Sequence, residues 1–71
     1  MKIPLSGGAY NGGVLETGPL APSTGDYLAV VRHPQLHEHF YLLHSNGVAR
    51  HDPHFSKGQP FFVYGYEEVK Y

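Results

Sequence analysis

At 71 residues, with no cysteine, the chain has room for one domain with one thin core, and it has neither disulfides nor thiolate zinc sites to reinforce it. Five Lys and Arg against six Asp and Glu give a formal net charge of -1. That balance excludes the clustered basic footprint of a sequence-independent nucleic-acid binder and the acidic excess of a DNA mimic. No apolar run approaches the ~18 residues of a membrane helix, and MKIPLSGG carries a lysine, a proline and glycines where a signal peptide needs an apolar stretch. The expectation is a cytoplasmic protein, one small β domain over residues 1–71, with no membrane contact and with nucleic acid disfavoured as a partner.

Six Tyr and four Phe favour strands, while nine Gly and six Pro interrupt the chain too often for long helices. Taken in order, residues 2–5 place Ile3 and Leu5 on one face of a first strand. The SGGAYNGG stretch then supplies Gly7, Gly8, Asn11 and Gly12 for a tight turn, and residues 14–17 return as a second strand. Residues 18–25, GPLAPSTG, read as a loop. Residues 26–33, DYLAVVRH, form the strongest strand signal, with Leu28 and Val30 on one face and Tyr27, Ala29 and Val31 on the other; apolar on both faces, it belongs inside a sheet. Pro34 closes it.

The next signal is a hairpin: HEHFYLLHS, then Asn46-Gly47, then VARHD. With Asn46 and Gly47 as a two-residue type I′ loop, Ser45 faces Val48, His44 faces Ala49, Leu43 faces Arg50 and Leu42 faces His51. Residues 53–60 form a second loop. The last segment, FFVYGYEEVKY, is a final strand with Phe61 and Val63 on one face and Phe62, Tyr64 and Tyr66 on the other, and Gly65 marks a bulge or a close backbone approach. The sum is an all-β fold: a small antiparallel sheet or barrel-like domain of about five or six short strands joined by hairpins.

Candidate functional residues are drawn from three groups. Six histidines crowd the middle of the chain, and on a strand His37 and His39 point to the same side, an arrangement able to hold a metal with a third ligand from His51, Asp52 or His54. The register above sets His51 on the opposite face, so His37 and His39 read as exposed polar positions, and no metal or cofactor is expected. Tyr10 and Asn11 in the glycine-rich turn offer a stacking surface and a polar group for a nucleotide, although no helix follows to complete a phosphate loop. Tyr41, Tyr64 and Tyr66, with the histidines, make a neutral aromatic face suited to a protein partner or another subunit. The serines lie in no nucleophile motif, and the adjacent Glu67 and Glu68 point to opposite faces, so no catalytic residues are assigned and the chain is not expected to be an enzyme.

MKIPLSGGAYNGGVLET resembles the opening of small uncharacterised β-rich proteins of phages and prophages, which carry a GG-P-x-DG turn between two strands. Gly7, Gly8 and Gly12 match that turn, Asn11 stands for its Asp and Ala9 for its proline; the tyrosine-rich FFVYGYEE is similar to their final strand. The histidine-bearing middle departs from the pattern, so about half the chain carries the resemblance. It implies a phage accessory protein that acts in the host cytosol by binding and inhibiting a host protein, as an anti-defence or host-takeover factor. Alternatives are a ligand or nucleotide-signal sponge with a site at a subunit interface, and a structural virion component. Homo-oligomerisation is expected in its own right, because so small a β domain has strand edges able to pair with a second copy.

Overall fold

The computed structural model describes residues 1–19, 21–32, 35–56 and 58–66. Six strands form in chain order: β1 (Lys2–Ser6), β2 (Val14–Glu16), β3 (Tyr27–Arg32), β4 (Gln35–Leu43), β5 (Ala49–His51) and β6 (Phe61–Gly65). Among the described residues there is no helix, and none therefore that is long and apolar enough to cross a membrane. The strands lie in one sheet in the order β2-β1-β5-β4-β3-β6. This sheet curls into a half-barrel, so the expected all-β class holds. The expected strand end at His33, its closure by Pro34, and the continuation of the last strand through Glu67, Glu68 and Tyr71 lie outside the described residues.

Alternation sets which side of each strand is buried. Ile3 and Leu5 are buried while Lys2, Pro4 and Ser6 are exposed. The inner face collects Ile3, Leu5, Leu15, Leu28, Val30, Tyr41, Leu43 and Ala49 into one core, with Tyr10, Tyr64 and Tyr66 packed at its margin. Pro4 fits a strand because of where its missing donor falls. Leu5 exchanges backbone bonds with the β2 side, donating to Gly13 O at 2.8 Å and accepting from Gly12 N at 3.0 Å. Residue 4 therefore faces the β5 side, where pairing begins only at Leu5.

Pairing directions are mixed. The β1–β2, β3–β4 and β4–β5 pairs are antiparallel, whereas β1–β5 and β3–β6 are parallel. Hairpin logic alone leads to an antiparallel sheet, since it links only chain neighbours. The two parallel ladders are long-range: one carries the β1–β2 hairpin, the other carries β6. Placed between β4 and β6, β3 is covered on both faces, as its pattern demanded: Leu28, Ala29 and Val30 are each fully buried.

Ala29 is fully buried on the outer face, paired with Phe40 of a second apolar cluster. Phe55, from the loop after β5, stacks on Phe40 with ring centroids 4.0 Å apart and meets Tyr27 at 4.9 Å and Phe61 at 5.6 Å edge-on. Phe40 and Phe61 touch at 5.3 Å. The half-barrel is thus a three-layer arrangement in miniature: inner core, sheet, and an aromatic cap on β3.

The β4–β5 turn corrects the expected register. His44 N donates to Val48 O and Gly47 N donates to His44 O, each at 3.0 Å, so the loop has three residues, 45–47. Leu43 therefore pairs with Ala49, Leu42 with Arg50 and Tyr41 with His51, one residue away from the two-residue reading. A type I′ turn needs positive φ at Asn46 as well as Gly47; only Gly47, at φ 82, has it. Asn46 instead uses its side chain, whose Oδ1 accepts from Val48 N at 3.1 Å. Burial decides between the registers. The observed one sets buried Leu43 beside buried Ala49, whereas the alternative sets it beside exposed Arg50.

Gly65 is a second correction. The β3–β6 register runs unbroken from Phe61 to Gly65, and nothing lies within 4 Å of where a Gly65 Cβ would be. It marks neither a bulge nor a close approach. The irregularity sits in β3, between Val30 and Arg32, against β4.

Candidate functional site: the tyrosine and histidine end of the half-barrel

The glycine-rich turn between β1 and β2 folds over the inner face and is held there by one side chain. The Tyr41 hydroxyl donates to Gly7 O at 2.8 Å and accepts from Tyr10 N at 3.1 Å. Asn11 Oδ1 closes the turn on itself by accepting from Gly7 N at 2.8 Å. Gly8 has φ +69, and a Cβ there would meet the His51 ring at 2.8 Å, so backbone conformation and space both require glycine.

Around this anchor the rings form a continuous set. Tyr10 meets His39 edge-on at 5.1 Å and Tyr66 at 4.8 Å with a 40° tilt; His39 meets His37 edge-on at 4.9 Å; Tyr41 meets His51 at 5.7 Å. The Tyr10–Tyr66 contact joins the β1–β2 turn to the residue that follows β6, although those strands stand at opposite edges of the sheet. Curling brings the two edges together at this end.

The structure thus brings Tyr10, His37, His39 and Tyr66 together at one rim, with half-buried Tyr64 one step along β6 on the same face. Two of the expected contact residues have other work. Tyr41 is fully buried, so it cannot touch a partner; its hydroxyl organises the turn. The exposed Asn11 caps the turn. Tyr10 is half-buried, with its ring packed against His39 and Tyr66.

The register shift also moves His51. Opposite Tyr41 rather than Leu42, it lies on the inner face with His37 and His39, reversing the expected separation. Even so, among the described residues no group of three or more His, Asp or Glu is arranged to hold a metal ion. His37 and His39 meet ring edge to ring face, with centroids 4.9 Å apart. His44 stands at the hairpin end and His54 in the following loop, where its N–H donates to Asp52 Oδ1 at 3.0 Å.

Burial disfavours the charged forms of three groups at this end. Burial, and then the neighbouring His37 and His51, push the His39 pKa below its ordinary 6.5. Burial raises the Tyr41 and Tyr64 phenols, the latter helped by the charge of Asp26. At neutral pH the rim offers aromatic faces and, at His39, an uncharged imidazole. Sequence reasoning places His51 on the opposite face, because it takes the turn for a two-residue one, and it takes Gly8 for a turn residue alone, since the space Gly8 leaves for His51 depends on the register. The Ser-Asn-Gly triplet is the signal for a three-residue loop, since only its last position needs glycine.

Compared with protein-family models, curated proteins and solved structures, the chain matches none of them.

Proposed function

We propose that this chain is a small protein-binding module that acts by contact rather than by turnover. Its contact surface is the rim formed by Tyr10, His37, His39, Tyr64 and Tyr66. The observation that carries the reading is the gathering of the Tyr10, His37, His39 and Tyr66 rings, from the β1–β2 turn, β4 and the end of β6, into one aromatic patch beside Tyr64, with the turn fixed from beneath by Tyr41. Tyrosine and histidine combine large contact area with a polar tip and few rotatable bonds, which suits a partner-facing surface. Pre-positioned rings lose little freedom on binding. In line with the phage resemblance, the partner we propose is a host protein whose own working surface the rim covers, in the host cytosol.

Affinity capture from host lysate tests this, using the tagged full chain and two rim variants, His37→Glu and Tyr66→Ala, each verified as folded by circular dichroism. The expected result is a protein retained by the native chain and lost with both variants. Identical capture by all three, or none by the native chain, overturns the reading. A rise in melting temperature with one nucleotide, abolished by the same variants, replaces it with a ligand sponge.

A further inference from the structure

The two edges of the sheet are unequal. Natural sheets protect their edges with short strands, charges, prolines or bulges. β2 follows that rule: it is three residues long and carries Glu16. β6 does not. It is five residues, FFVYG, with no charge and no bulge, and Phe61, Phe62 and Val63 are exposed by 36%, 53% and 63%. Among the described residues, no strand pairs with its outer side.

Its backbone directions are fixed by the ladder to β3. Tyr66 N donates to Val31 O at 2.9 Å, so residue 66 faces β3. By alternation Phe62 and Tyr64 also face β3, and Phe61, Val63 and Gly65 direct their N–H and C=O groups outward. These three outward residues are symmetric about Val63.

We infer that β6 is a self-pairing edge that joins two copies of this chain antiparallel about a two-fold axis at Val63. Val63 then pairs with Val63 of the second copy, and Phe61 with its Gly65. Those three hydrogen-bonded pairs exchange about six backbone bonds. A five-residue strand overlaps itself fully only in this register. Side chains agree with it. Phe62 of each copy falls opposite Tyr64 of the other at the closer, non-hydrogen-bonded spacing, a favourable aromatic pair. Phe61 falls beside Gly65, whose surroundings are open, so the ring covers bare backbone where any side chain would crowd it. With no charge from Phe61 to Tyr66, the two-fold axis brings no like charges together. Self-complementarity is why the occupant is a second copy rather than an unrelated strand. The backbone edge that pairs is distinct from the ring cluster of Tyr10, His37, His39 and Tyr66, and Tyr64 of β6 borders both.

Sedimentation equilibrium of the full chain, with Val63→Lys and Val63→Cys, tests the pairing. Val63 is exposed and its backbone does not bond β3, so both variants keep the fold. The expected result is a dimer for the native chain and a dissociation constant raised at least about tenfold by Val63→Lys, which sets two ammonium groups across the axis. The native chain has no cysteine, so oxidised Val63→Cys gives a disulfide-linked dimer, at a Cα separation of ~5.5 Å that a disulfide spans. Val14→Cys, on the other edge, stays monomeric under the same oxidation. A monomeric native chain, a dimer indifferent to Val63→Lys, or equal cross-linking from positions 14 and 63 overturns the inference. The cross-link also decides the matter if Val63→Lys fails to fold. Because His37 lies outside β6, a dimer that forms normally while His37→Glu abolishes capture separates the two proposals.

Discussion

The Tyr41 hydroxyl donates to the carbonyl of Gly7, 34 residues earlier in the chain, at 2.8 Å. The same oxygen accepts from Tyr10 N at 3.1 Å, so one side-chain atom holds the β1–β2 turn against the inner face. Tyr41→Phe keeps the ring and removes only that oxygen, leaving the Gly7 carbonyl and the Tyr10 N–H without their partner. An unmet buried group costs about 1–3 kcal/mol. Urea denaturation is expected to show a loss in that range with an unchanged m-value, and the amides of residues 8–12 are expected to exchange faster. Unaltered stability contradicts the anchor.

Gly13 tests the closure of the half-barrel. A Cβ at this position would collide with the Tyr66 hydroxyl and come within 3.1 Å of Tyr10 O. Gly13→Ala is therefore expected to lower the melting temperature, and Tyr66→Phe in the same chain to restore part of the loss by making room. Gly58→Ala, whose nearest neighbour is Ser56 Oγ at 4.0 Å, serves as a neutral control. Additive effects of the Gly13 and Tyr66 substitutions in a double-mutant cycle contradict the contact.

The lowered pKa of His39 makes stability depend on pH in a definite direction. The folded chain binds this proton less readily than the unfolded chain, so the unfolded state takes up more protons on acidification. Stability from this site is fully present above the ordinary 6.5 and declines as pH falls from there toward the lowered value. Melting temperatures taken from about pH 7.5 to about pH 5.5, above the carboxylate range, are expected to fall with pH. His39→Phe, which keeps an aromatic edge for Tyr10, is expected to flatten that slope. An identical slope assigns the effect elsewhere.

On the outer face, Phe55 is the centre of the aromatic cap, stacked on Phe40 and touching Tyr27 and Phe61. Phe55→Ala removes the ring stacked on Phe40 and its edge contacts to Tyr27 and Phe61. A fully buried Phe→Ala change costs ~3–5 kcal/mol; for this half-buried ring about 1–3 kcal/mol is expected. Phe55→Leu, which keeps apolar volume but not the stack, is expected to lose less. Denaturant melts of both variants check the order.

Local patterns carried much of the fold. Alternation at Ile3 and Leu5, and at Leu28 and Val30, placed the inner face correctly, because side chains in a strand switch sides at every residue whatever the strand pairs with. Turn residues likewise marked where β1, β4 and β6 begin or end, since backbone conformation at a glycine or proline is a local property. The rim was half legible: Tyr10, His37, His39 and Tyr66 were all suspected, for their chemistry rather than for any knowledge that they meet.

What the sequence determined by itself is therefore the strand content, the residues that share a face in β1 and β3, and the punctuation between strands. Tertiary structure decided the rest: the one-residue shift that pairs Tyr41 with His51, the burial of Tyr41, the parallel docking of β6 on β3, and the open, uncharged edge that results. The reason is that register and strand order depend on which buried residues can face one another across the whole sheet. Leu43 beside Ala49 is favoured only once the inner core exists, and no window of neighbouring residues contains that information.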